Sequence, residues 1–262
     1  VIDCIAVINE VKNALNLDLE VLKVTNIEYG LNALSPIDVK NLITYTAYHL
    51  KNEFRTDTGL AYSKKSYSVT KYGTANQYKI IKMYAKGIQF PLYSDINTFR
   101  FEVKSKKSRF INKLGVFNAN DLLDVNVYFE MVNSLIVEFE NTLILDCETN
   151  FKTLNQKEQN KISKFNNPLE WYKIKNSTNR NSFSKNKTEY NRLTNKTPDN
   201  LKTQLSKIVF DKLELLKAGA ISQPKNKIKK GAISQVYIGG MCTQNKPQTT
   251  NVKTILCQVT GF

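Results

Sequence analysis

The chain has 262 residues, of which 41% are hydrophobic and 23% charged, enough for one large or two modest globular domains with a real core. Its net charge of +15 favours a polyanionic partner, either nucleic acid or an anionic membrane surface. The sequence offers no apolar run near the roughly 20 residues that span a bilayer, no CxxC among Cys4, Cys147, Cys242 and Cys257, and no P-loop, GxGxxG or HExxH pattern. The expectation is a soluble, cytoplasmic protein with reduced thiols that is not a nucleotide-hydrolysing engine.

In chain order, apolar residues at 1, 5, 8, 11 and 15 predict a helix over 1–16. Alternation at Val24, Ile27, Tyr29 and Leu31 predicts a strand over 24–34. Ser35 as N-cap and Pro36 at the first helical position open a helix expected over 36–50. That helix would carry His49, the one histidine, as a surface or partly packed residue rather than a ligand. KSYSVTKY and QYKIIKMYAKG, separated by the turn residues GTAN, predict an antiparallel hairpin. NTFRFEVKSKK adds a third strand over 97–107, followed by a short basic helix over 108–113 and Gly115. Helical spacing then starts near Asn118 or Asn120 and runs for about 25 residues.

From Thr149 the texture becomes polar and rich in Lys and Asn, with helices expected over 180–195 and 198–217. Trp171 and Tyr172 could stack on a base, though helix packing is the favoured role. A tail over 218–262 repeats KAGAISQ as KKGAISQ and reads as a flexible basic segment, with a DNA-contacting arm as the sharper alternative. Three parts result: an α+β unit over 1–148, a basic helical region over 149–217, and the tail. The chain opens on Val rather than Met, so upstream sequence is expected.

Strand side chains alternate between faces, which sorts the candidate residues. Ile81, Met83 and Ala85 share a face, as do Phe99, Phe101 and Val103, and Ile27, Tyr29 and Leu31. The opposite face then presents Glu28, Lys82, Tyr84, Lys86, Arg100, Glu102 and Lys104. A merely solvated face would also be polar, with weak cross-strand Lys–Glu pairs. The mixture also suits phosphoryl transfer to tyrosine. A phenol with a pKa near 10 needs activation, cations neutralise transition-state charge, and carboxylates can hold a divalent metal.

Three segments, VTNIEYGLNALSP, YKIIKMYAKGIQF and NTFRFEVKSKKSRFINKLGVFNANDLLD, in that order resemble the replication initiators of filamentous phages and Bacteroidetes-type plasmids. The resemblance covers about 1–145, with an echo over 165–217. It implies rolling-circle initiation: nicking of single-stranded or hairpin origin DNA through a tyrosyl-phosphodiester intermediate, with host replication proteins as further partners. It implies an HUH-endonuclease-like sheet, with helices on one face. Tyr84 falls on the nucleophile of the Tyr-x-Lys strand, with Lys86 and Arg100 beside it. Lys82, Lys86, Arg100, Lys104, Lys106, Lys107 and Arg109 would hold DNA, and Glu28 and Glu102 would hold Mg²⁺ or Mn²⁺. The family's paired metal-binding histidines are not matched, nor is its longer N-terminal part, so the chain would be either an N-terminally incomplete member or a divergent copy. The alternative is a non-enzymatic origin-binding protein or copy-number regulator. A peripheral membrane protein is disfavoured by the balanced charge of the helix over 198–217.

Overall fold

The structure, a computed structural model, describes residues 1–221 together with Gln258 and Val259. The rest of the tail, with the second GAISQ copy, Cys242 and Cys257, lies outside the described residues. In chain order the elements are α1 (Ile2–Leu15), β1 (Ile27–Leu34), α2 (Val39–Tyr45), β2 (Thr46–His49), β3 (Asn52–Thr56), β4 (Ser63–Ser66), β5 (Ile80–Ala85), α3 (Lys86–Gln89) and β6 (Thr98–Ser105). There follow α4 (Ser108–Ile111), α5 (Val125–Glu140), β7 (Thr142–Ile144), α6 (Gln156–Phe165), α7 (Pro168–Lys175), α8 (Ser182–Thr194), α9 (Leu201–Ile221) and the two-residue β8 (Gln258–Val259).

Seven strands pair antiparallel in the order β7-β2-β3-β4-β5-β6-β1, and β8 pairs parallel with β1. The molecule is therefore α+β with a helical C-terminal part, as the sequence predicts. The apolar face of the sheet is the one alternation assigns. Tyr29, Leu31, Ile81, Met83, Phe99, Phe101 and Val103 are buried on it beside residues from α2, α5 and α9. Phe101 meets Phe139 of α5 edge-on at 5.2 Å, and the Tyr29 hydroxyl bonds Ser134 at 2.8 Å. Leu201, Leu205, Val209 and Leu213 form the buried stripe of α9 in this same core. A second cluster gathers Tyr48, Leu143 and Leu145 under α6, α7 and α8, around the buried Trp171.

Three expectations about elements are corrected. The helix over 36–50 is a seven-residue helix capped by the Asp38 side chain rather than by Ser35, and it gives way to β2. The helix ends where the backbone turns extended at Thr46, and β2 gains its hydrogen bonds from β3 and β7, which are distant or short segments without a pattern of their own. His49 consequently lies on a strand and is buried, 2.7 Å from Glu138. The long helix after Asn118 is a 3-10 turn (Asn120–Leu123), then α5, with Asp124 extended between them as the N-cap of α5. The 198–217 helix begins at Leu201 and passes Gly219 to Ile221.

Candidate active site on the polar face of the sheet

The antiparallel register lines up the polar-face residues of β5, β6 and β1. Tyr84 stands opposite Arg100, and Arg100 opposite Asn32. One step along, Lys82 faces Glu102, and Glu102 faces Gly30. Lys104 pairs with Glu28 in the next row. Gly30 explains how a carboxylate fits at the centre. A Cβ there would lie 2.7 Å from the Glu102 Cγ and 2.4 Å from the Phe101 carbonyl oxygen, so the missing side chain is the room that Glu102 uses.

The cluster is a closed ion network. Lys82 Nζ bridges the two carboxylates, 2.6 Å from Glu28 Oε1 and 3.2 Å from Glu102 Oε2. Lys104 Nζ takes Glu28 Oε2 at 2.7 Å. Arg100 donates from Nε to Glu102 Oε1 and from Nη1 to Asn32 Oδ1 at 2.9 Å. The Tyr84 hydroxyl donates to Glu102 Oε1 at 3.1 Å. Arg100, Glu102 and Glu28 are buried, with exposures of 2%, 2% and 4%, so this is not the solvated polar face that composition alone allows.

Burial opposes ionisation of Glu28, but the Lys82 charge and the hydrogen bonds around the carboxylate outweigh it and hold its pKa down at about 2. Burial likewise works against the Lys82 ammonium, while the charges of Glu102 and Glu28 win and raise its pKa. Tyr84 moves the other way. Burial first, then the Glu102 charge, push its phenol well above 10, with Arg100 opposing only in part.

Of the residues the sequence singles out, Glu28, Lys82, Tyr84, Arg100, Glu102 and Lys104 do converge. Lys86 needs a correction: the strand ends at Ala85, so Lys86 opens α3 instead of continuing the strand face. Its ammonium sits 3.7 Å from the Phe90 ring centre, and the Arg100 charge depresses its pKa after burial does, so it remains beside the cluster. Lys106, Lys107 and Arg109 are exposed beyond the end of β6. Lys106 lies six positions from Arg100, roughly 20 Å along an extended chain, and among the described residues none of these three cations pairs with Glu28 or Glu102, so they are not part of the cluster.

Sequence reading missed the row on the other side. Ser63 stands opposite Tyr84, Lys65 opposite Lys82, and Arg55 opposite Lys65. Lys65 is held by Asp57 at 2.5 Å, and Arg55 lies over the Tyr67 ring at 4.7 Å. Alternation within β4 would have put Ser63 and Lys65 on one face. Only the pairing with β5 shows that the face is this one.

As arranged, Glu28 and Glu102 do not fit a divalent cation. The Lys82 ammonium fills the bridging position between them, and each of the four carboxylate oxygens already accepts from a cation. No group of three or more His, Cys, Asp or Glu with metal-binding placement occurs among the described residues.

No family model, curated protein or solved structure matches the chain. No helix among the described residues is long and apolar enough to cross a membrane.

Proposed function

We propose that the chain binds origin DNA and breaks and rejoins one strand through Tyr84, as its resemblance to rolling-circle initiators implies. The observation that carries this reading is the Tyr84–Glu102 hydrogen bond. It joins a hydroxyl nucleophile to a carboxylate base, and Arg100 and Lys82 hold that base in place. With the phenol pKa raised, phenolate is not preformed at neutral pH, so the proton leaves as the new bond forms. Tyr84 Oη bonds to phosphorus, its proton passes to Glu102, the P–O3′ bond breaks, and the leaving 3′ oxygen takes a proton from solvent. A tyrosyl 5′-phosphate and a free 3′-hydroxyl result, and the reverse sequence reseals the strand. Arg100 and Lys86 are the cations beside Tyr84 that offset charge building on the phosphoryl oxygens. In this reading the substrate is single-stranded or hairpin DNA, and host replication proteins are further partners.

The test is a pool of random-sequence single-stranded oligonucleotides labelled at the 3′ end, incubated with the protein and resolved under denaturing conditions. Wild type is expected to carry label. Tyr84→Phe is expected to carry none, and Glu102→Gln to react at least about 100-fold more slowly. Label on the Phe variant sinks the assignment.

A second reading has its own observation. The ion network around Lys82, in which three cations hold two carboxylates, also suits a protein that kept a rigid DNA-binding sheet and performs no chemistry. Its mark is salt-sensitive binding with no covalent adduct.

A further inference from the structure

The basic charge of the helical part is segregated, and one corner of it is left without acids. Around α6 and the C-terminal end of α8, cations meet acids: Lys161 and Arg192 hold Glu189, Lys196 holds Glu158, and Lys164 holds Glu170. From Trp171 to Thr188, across the end of α7 and the start of α8, the sequence has five cations and no Asp or Glu. Lys173, Arg180 and Lys185 are exposed there and form no ion pair among the described residues. The corner is held rigidly from beneath, where Trp171 packs on Phe183 at 5.4 Å, and Lys51 ties down the connecting loop through the Arg180 carbonyl at 2.9 Å.

We infer that the α7–α8 corner is a second nucleic-acid surface, which grips the phosphate backbone of duplex DNA through Lys173, Arg180 and Lys185, apart from the Tyr84 cluster. Between the helices, Asn176, Ser177, Thr178, Asn179 and Asn181 are exposed and bring the amide and hydroxyl donors that bond phosphate oxygens without reading bases. Tyr172 is the single exposed aromatic of α7, at 57% exposure, whereas a single strand needs a succession of ring platforms. Leu169 and Tyr172 on an eight-residue helix also fall short of the broad apolar face of a membrane-surface helix.

The inference rests on the reading of the chain as DNA-binding but not on its chemistry. The experiment compares wild type with the triple variant Lys173→Gln, Arg180→Gln, Lys185→Gln. A control triple variant, Lys161→Gln, Lys164→Gln, Lys196→Gln, removes the same charge from the paired face. Binding of a 30-base-pair duplex is followed from about 50 to 200 mM salt, with circular dichroism confirming that both variants fold. The first variant is expected to bind about tenfold more weakly or worse, with a log–log salt slope shallower by about 3, one unit per lost phosphate contact. The control is expected to stay within about twofold of wild type. Equal loss in both variants, unchanged affinity in the first, or no duplex binding by wild type overturns the inference. So does a first variant that loses binding to phosphatidylserine vesicles while keeping the duplex. An adduct at Tyr84 with undiminished duplex affinity in the first variant sinks this surface alone. Corner-dependent duplex binding without any adduct sinks the nicking reading alone.

Discussion

At Lys82 one ammonium serves two carboxylates, and the energetics of the site turn on it. Removing one member of a buried ion network leaves uncompensated charge, which costs more than the network contributes in place of apolar packing. Lys82→Met is expected to destabilise the fold by about 3 kcal/mol in urea unfolding, whereas Lys196→Gln on the surface should cost less than about 1 kcal/mol. Lys82→Ala should also open the space between Glu28 and Glu102. Mn²⁺ titration by calorimetry is expected to show binding in that variant and none in wild type at the same concentration. Binding of equal strength in both would refute the view that the ammonium holds the metal position. The pH dependence follows from Glu28. Its pKa is lower in the folded chain, about 2 against an ordinary 4.5, so the unfolded chain takes up its proton first as acid is added. The stabilisation is full above about pH 4.5 and is lost as pH falls toward about 2. Glu28→Gln should flatten the slope of stability against pH in that window.

At the scale of elements, Asp146 joins parts of the chain that are far apart in sequence. Its buried carboxylate accepts from the Leu201 amide at 2.8 Å, which caps the start of α9, and from the Thr149 amide at 2.9 Å and hydroxyl at 2.7 Å. The Asp146 N–H in turn donates to the hydroxyl oxygen of Tyr190 on α8 at 2.7 Å. Asp146→Ala strands these donors and is expected to cost about 3 kcal/mol, read from thermal unfolding. The sequence did not single out Asp146, because it carries neither periodicity nor a motif. The strands at 27–34, 80–85 and 98–105 were legible, since each alternates cleanly and one face of each meets a helix layer. β2, β3 and β7 were not: each has three to five residues and is a strand because its neighbours supply hydrogen bonds.

At the scale of the whole fold, two buried clusters among the described residues share one sheet. The larger is closed by α9, the last long helix among the described residues, which returns to pack beside β1 and α5. The smaller stands on Trp171, whose indole is fully buried and donates to the Phe165 carbonyl at 2.6 Å. Trp171→Ala is expected to cost about 4 kcal/mol and to raise hydrogen exchange over 151–196 well above that of β1, β5 and β6. Uniform exchange across both regions would show that the clusters unfold as one. The sequence by itself determined the charge, the class of fold and which side of each central strand is apolar, because alternation is local and burial enforces it. It marked Glu28, Lys82, Tyr84, Arg100, Glu102 and Lys104 as sharing a face. Only the tertiary structure decided that these residues bond to one another, that Lys82 lies between the carboxylates, and that Lys86 turns off the strand. Those facts depend on register between segments as far apart as Glu28 and Lys104 and on the room that Gly30 leaves for Glu102, neither of which leaves a trace in local pattern.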